Sequence, residues 1–162
     1  MNLGLNGQSA LITGASKGIG WASARLLAQE GCDVAINARN GEYLQQQADA
    51  LAAETGRRVL AVAGDMSTPG EADRITRETI DAFGKLDVLV TCAGSSPGGL
   101  IEELTEEHWA TSLGLKFLGY VRSTKAVLPA RDWVIPDNRP NCWEPVRMKS
   151  PMRRSASTIV WR

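Results

Sequence analysis

An α/β fold, a doubly wound parallel sheet between two layers of helices, is predicted by the first 130 residues of this 162-residue chain. Three observations carry the prediction. Short apolar runs alternate with segments of helical period, as in successive β-α-β units. One of those runs, LDVLVTC at residues 86–92, is apolar enough to be buried on both faces, as parallel strands are. The first strand-to-helix turn is glycine-rich, TGASKGIG at residues 13–20.

Ser9–Thr13 (SALIT) reads as the first, buried strand. The glycines after it lead into a helix at residues 18–29, with Ile19, Ala22 and Leu26 on one face and Gly31 as its stop. DVAIN at residues 33–37 is the second strand. A helix over residues 42–55 follows, with Leu44, Ala48 and Leu51 facing inward and Gly56 at its C-terminal end. VLAVA at residues 59–63 is the third strand. Thr68, Pro69 and Glu71 then supply an N-cap, a proline at the first helical position and a capping-box partner, for a helix whose Ile75, Thr79 and Ala82 face the sheet. Residues 86–92 form the fourth strand, and the loop AGSSPGG comes next. Thr105 caps a long helix whose first turn carries Glu106 and Glu107, favourable at the positive end of the helix dipole. Leu113, Phe117, Tyr120 and Leu128 mark its apolar face.

The character of the chain changes after Pro129. All sixteen glycines lie at or before Gly119, while residues 131–162 hold four of seven prolines, three of five tryptophans and a net charge of +4. The expected organisation is one domain over residues 1–130 and an irregular tail over 131–162, without sustained period or helix caps. Tryptophan among arginines can serve nucleic acid or a membrane surface. The charges here are scattered and no amphipathic face emerges, which argues against both.

Composition narrows the function further. Eighteen basic and eighteen acidic residues cancel, so no whole-chain field draws the protein to nucleic acid or an anionic membrane. Cys32, Cys92 and Cys142 are odd in number, far apart and without CxxC spacing, which points to free thiols rather than a disulfide framework or a metal site. No apolar run approaches the ~20 residues that span a bilayer. The expectation is a cytoplasmic protein.

In TGASKGIG each glycine has its own physical reason. Gly14 permits the tight turn, Gly18 lets the backbone approach a pyrophosphate, and Gly20 lets helix and strand pack. The amides that open the helix then face the phosphates. Ser16, Lys17 and Ile19 complete the candidate loop, Lys17 as a second cation. A glycine run can also be a plain structural turn; its place at the first strand-to-helix junction favours a dinucleotide.

With these residues in view, the chain resembles the N-terminal half of a short-chain dehydrogenase/reductase, of the 3-oxoacyl-acyl-carrier-protein reductase type. The spacing TGxxxGxG, Arg39 after the second strand, Asp65 after the third, and Cys92-Ala93-Gly94 after the fourth fall in the family's order, where Asn-Ala-Gly is usual. The resemblance covers roughly residues 5–130. It implies a Rossmann-type sheet of strand order 3-2-1-4, continued in the family by three more strands beside strand four. It implies that Asp65 accepts a hydrogen bond from the adenine amino group, that Met66 offers its backbone beside it, and that Ala93 and Gly94 border the cofactor. Ala38 stands where NAD-preferring members carry an acidic residue, and Arg39 follows it, so NADP is the expected cofactor and NAD the lesser one. Arg39 as a solvated loop charge and Asp65 as a turn former are the plainer readings.

The reaction centre departs from the family. Its tyrosine, with a lysine four residues on, protonates the substrate oxygen while nicotinamide passes a hydride. Here Tyr43 is followed at that offset by Gln47 and Tyr120 by Thr124, Lys125 lies five residues from Tyr120, and residues 131–162 hold no tyrosine. Gly114 stands where the family's asparagine is expected, and His108, the only histidine, reads as a surface residue. No catalytic residue is therefore assigned. The small-molecule carbonyl or hydroxyl chemistry of the family is expected to be lost in this chain. The alternatives are a non-enzymatic NADP-binding or interaction protein and a product whose reading frame shifts after Pro129. Back-translation of residues 148–161 in another frame permits a Pro-Asn loop and a small-residue helix, though codon degeneracy makes most of those positions permissive. Without further strands the fourth strand becomes an apolar edge, so self-association through that edge or the long helix is expected.

Overall fold

The computed structural model describes residues 3–128. In chain order these form β1 (Ser9–Thr13), α1 (Gly18–Gln29), β2 (Asp33–Ala38), α2 (Gly41–Thr55), β3 (Val59–Ala63), α3 (Glu71–Phe83), β4 (Val88–Thr91), a 3-10 turn (Ile101–Glu103), α4 (Glu106–Leu113), a π-helical turn (Gly114–Leu118) and α5 (Gly119–Val127). The strands make one sheet of order β3-β2-β1-β4, with every pairing parallel. The expected tail, with Cys142 and the tryptophans in it, lies outside the described residues.

Alternation along the strands builds two cores. Ala10, Ile12, Val34, Ile36, Val88 and Val90 point to α1 and α2, where Ala24, Ala28, Leu44, Ala48 and Leu51 meet them. Leu11, Ala35, Val62 and Leu89 point the other way, to Ala72 and Ile75 of α3 and Val127 of α5. A parallel strand pair needs a helical crossover, and these helices cover both faces.

Three expectations are corrected. The sheet-facing side of α1 is not Ile19, Ala22 and Leu26: Ile19 is 80% and Leu26 57% exposed, and Gly20, Ala24 and Ala28 are the buried residues. The same holds for the long helix, where Leu113 and Phe117 are 57% and 61% exposed while Gly119, Ser123 and Val127 are buried. In both helices the buried positions recur every four residues and are mostly small, which lets the axis lie close to its neighbours. A Cβ on Gly119 would come 3.3 Å from the Met66 carbonyl oxygen. The third correction concerns α3. Its N-cap is Gly70 at φ +86° with no side-chain cap, since Glu71 pairs with Arg74 at 2.7 Å instead, and Ala82 is exposed. Elsewhere the local signals hold: Gly56 ends α2 at φ +66° and Thr105 caps α4, while α2 starts at Gly41, one residue before the expected bound, with Asn40 as its N-cap through the Tyr43 amide.

At the opposite end of the sheet from the glycine loop, Asp33 receives Arg57 at 2.7 Å and Arg58 at 2.6 Å, and Arg58 lies over the Phe83 ring at 5.0 Å. Burial pushes the Asp33 carboxyl up, but the hydrogen bonds and charges of the two arginines outweigh it and hold it below the usual carboxylate range. A depressed folded pKa stabilises the fold above the unfolded value, and that stability is lost as pH falls through the folded one. Asp33→Asn is expected to cost about 1.5–3 kcal/mol at neutral pH. In urea melts against pH, the gap to the parent should close below the usual carboxylate range. A gap constant down to strongly acid pH would refute the ionic contribution.

Candidate cofactor site

All four strands end on one side of the sheet, and β1 lies between β2 and β4. From β1 the chain crosses to β2 over one face through α1, and it reaches β4 from the other face through α3. Beyond the end of β1 the two directions diverge and leave a crevice, the place where open parallel sheets hold ligands.

The loops around that crevice are tied together. The Cys92 amide donates to the Thr13 carbonyl oxygen at 3.1 Å and to its hydroxyl at 3.2 Å, and the Ala93 amide donates to the same hydroxyl at 3.3 Å. The Ala15 amide donates to the Asn37 carbonyl oxygen at 2.9 Å. Asn37, buried, donates through Nδ2 to the carbonyl oxygens of Val62 at 2.9 Å and Gly64 at 3.2 Å. Gly14 sits in the left-handed region at φ +67°, and a Cβ there would stand 2.6 Å from the Ala93 amide nitrogen. A Cβ on Gly20 would collide with the Gly14 carbonyl oxygen and lie 2.9 Å from its carbon. The loop after β1 thus abuts both the β4 loop and the first turn of α1. Thr13 and Asn37 were missed in the sequence, although a polar residue that ends an apolar strand was the available signal.

The start of α1 is open. Lys17 occupies the N-cap in an extended conformation and makes no side-chain cap, and the first turn holds no acidic residue. Gly18 has φ +60° and nothing within 4 Å of a Cβ built on it. Uncapped amides at the positive end of a helix, with free space over the glycine, fit a pyrophosphate. Ser16 is half-buried in this loop, and Lys17 and Ile19 are exposed.

On the β2–β3 side, Arg39 is exposed directly after Ala38. Asp65 accepts on Oδ1 from the Ser67 hydroxyl at 2.7 Å and the Ser67 amide at 2.9 Å. Those bonds hold its carboxyl below the usual range against burial, helped by the charge of Arg39, so Arg39 and Asp65 are electrostatic neighbours. The Met66 side chain is taken up by the second core. Arg122 steadies the segment by donating to the Ser67 carbonyl oxygen at 2.8 Å.

On the β4 side, Ala93 is half-buried and Gly94 exposed, and a Cβ on Gly94 would lie 3.3 Å from Cε of Lys116. Nothing in the sequence singled out Lys116; the π-helical turn that contains it brings it there. Burial pushes the Tyr120 phenol up, and neighbouring Cys92 adds to the shift. Tyr120 and Lys125 border a shallow groove of about 440 Å³ with Lys116, Phe117, Val121 and Leu128. Gly114 has an ordinary helical backbone with nothing within 4 Å of a Cβ, and is thus free to carry a larger side chain. His108 is exposed and spends Nδ1 on the Thr105 amide at 3.3 Å, a helix-capping bond. Among the described residues Cys32 and Cys92 are free thiols, no cluster of metal-binding side chains occurs, and no helix is long and apolar enough to cross a membrane.

Comparison with known proteins agrees with this geometry. The short chain dehydrogenase family matches residues 8–134. A 3-oxoacyl-acyl-carrier-protein reductase of Synechocystis sp. is 38% identical over 128 residues, which are 76% of this chain and 50% of that protein. A 2,3-dihydro-2,3-dihydroxybenzoate dehydrogenase of Bacillus subtilis is 36% identical over 124 residues, 76% of this chain and 47% of the relative. Among solved structures, L-sorbose reductase from Gluconobacter frateurii complexed with NADPH and L-sorbose superposes with a TM-score of 0.77 at 35% identity, covering 80% of this chain and 49% of its own. A short chain dehydrogenase from Burkholderia cenocepacia in complex with NADP gives a TM-score of 0.74 at 33% identity, covering 78% and 51%. The chain spans about half the length of the curated relatives it matches. With a parallel 3-2-1-4 sheet, a glycine loop at its switch point and a family match over most of its length, the chain belongs to the short-chain dehydrogenases.

Proposed function

We propose that this chain is the NADP(H)-binding half of an oxidoreductase acting on a carbonyl or hydroxyl group of a small molecule, and that alone it binds the cofactor without completing the reaction. The observation that carries the reading is the uncapped N-terminus of α1 over Gly18, with Ala38 rather than a carboxylate at the end of β2 and Arg39 directly after it. The α1 amides and Ser16 hold the pyrophosphate, with Ile19 beside them. Arg39 and Lys17 pair with the 2′-phosphate, Asp65 and the Met66 backbone take the adenine, and Ala93 and Gly94 border the far half of the dinucleotide. NADPH, when bound, supplies a hydride. Two relatives whose structures are described with NADPH or NADP support the phosphorylated form. A second reading, a binding protein without catalysis, is favoured by the same Tyr120, whose raised phenol lacks a lysine four residues on.

Titration of the soluble chain with NADPH and NADH, followed by fluorescence, separates these contents. NADPH is expected to bind about tenfold or more tighter, the contribution of one charge-assisted hydrogen bond. Equal or inverted affinities would remove the role given to Arg39, and no binding of either would remove the site.

A further inference from the structure

β3 is an edge strand, and Asp65 lies in the turn that joins it to α3. The Asp65 carboxylate takes the Ser67 amide and hydroxyl on one oxygen, Oδ1. Presenting the other oxygen to an adenine therefore depends on how firmly the backbone under Asp65 is held. The geometry points to Arg74 of α3 as the positioning residue for that backbone, and so for the adenine half of the cofactor. The inference rests on the role proposed above for Asp65.

Glu71, Arg74 and Glu78 are spaced three and four apart, so they share one face of α3. Arg74 donates through Nε to Glu71 Oε1 at 2.9 Å, through Nη2 to Glu71 Oε2 at 2.7 Å, and through Nη1 to Glu78 Oε1 at 2.7 Å. Ion pairs that stay on the surface of one helix contribute little. This one leaves the helix. Nη2 of Arg74 also donates to the carbonyl oxygen of Ala63, the last residue of β3, at 2.6 Å. An edge strand leaves such carbonyls without a strand partner, and here the guanidinium takes the place of one.

The pair lies directly on the backbone before Asp65. A Cβ on Gly64 would come 2.5 Å from Glu71 Oε2, 2.6 Å from Arg74 Nη2 and 2.9 Å from Ile75 Cδ1. Toward β2 the Gly64 amide donates to the Ala38 carbonyl oxygen at 3.0 Å, and the Gly64 carbonyl oxygen accepts from Asn37 Nδ2 at 3.2 Å. Glu71 completes the grip. Arg74 holds the Glu71 carboxyl below its usual range against burial, and the Asp65 amide adds a backbone hydrogen bond to it. Asp65 and Glu71 also repel each other, so Arg74 supplies the charge that lets the two carboxylates stand together.

The far end of the turn is held independently. Arg122 of α5 donates to the Ser67 carbonyl oxygen at 2.8 Å, and the Met66 side chain is buried in the second core. Losing Arg74 is therefore expected to loosen one end of the turn and leave the fold standing. The glycine loop after β1 shares none of these contacts, so the phosphate end of the site keeps its geometry while Asp65 loses its aim.

Fluorescence titration of the full chain with NADPH and with its hypoxanthine analogue, in which a carbonyl oxygen replaces the 6-amino donor, reads that aim. The parent is expected to prefer NADPH by about tenfold or more, the value of one charge-assisted hydrogen bond. Arg74→Gln should bring the two ligands within about threefold of each other, because that bond is no longer formed. A merely structural loss would weaken both ligands equally and leave their ratio unchanged. Arg74→Lys keeps the charge without the fork and should behave like Arg74→Gln. Gly64→Ala, whose Cβ pushes the pair off the backbone with every charge retained, should do the same, and it decides if Arg74→Gln fails to fold. The parent's ratio retained in either variant would overturn the proposal. A parent that binds both ligands alike would overturn the adenine role of Asp65 itself, and the proposal with it.

Discussion

Incubated with NADPH and a panel of ketones or 3-oxoacyl thioesters, this chain is expected to leave the NADPH unoxidised. A positioned proton donor contributes about 10²- to 10⁴-fold to such reactions. The family's donor is a tyrosine with a lysine on the next helical turn. Tyr120 and Lys125 are five residues apart, about 140° around a helix, against about 40° for a spacing of four. Burial and Cys92 raise the Tyr120 phenol, the direction opposite to activation. Gly114 offers no side chain where the family's asparagine would stand. The assay follows NADPH absorbance with protein whose mass matches this chain. Turnover abolished by Tyr120→Phe or Lys125→Ala would make those residues the donor pair and overturn the assignment. Turnover that survives both would reveal another acid.

Arg39→Asp is expected to weaken NADPH binding by about ten- to a hundredfold, the value of a charge-assisted hydrogen bond, while NADH changes less. The substitution replaces a cation beside Asp65 with a second anion. It should therefore also move the Asp65 carboxyl toward its ordinary range. Arg39 is exposed and follows the last residue of β2, so thermal unfolding without cofactor should stay within about 0.5 kcal/mol of the parent. Equal loss of NADPH and NADH binding would show that the change acts on the fold rather than on the 2′-phosphate.

Local signals in the sequence were enough for much of this fold. The bounds of β1, α1 and β3 agree with the expected ones, because apolar runs ended by glycine or polar residues declare themselves without outside help. The parallel order 3-2-1-4 followed from the resemblance. The glycine loop was legible for the same reason as the strands, since backbone conformation at Gly14 and Gly18 demands residues without a Cβ.

Tertiary structure alone decided which faces are buried. Hydrophobicity points to Ile19 and Leu26 on α1 and to Leu113 and Phe117 on the long helix, yet all four are exposed. How near a helix lies to its sheet decides whether large or small residues fit between them. On α1 that distance is set by the first turn lying against the Gly14 backbone, and on α5 by Gly119 lying against the Met66 carbonyl oxygen. In both, the partner lies outside the helix, so the helical pattern that a sequence displays does not contain it. The lacing of the site is of the same kind. Thr13 reaches Cys92 and Ala93 across 79 and 80 residues, and Asn37 reaches Val62 across 25. A residue whose partner lies that far along the chain carries no local mark of its role, because the partner is chosen by the order of strands in the sheet.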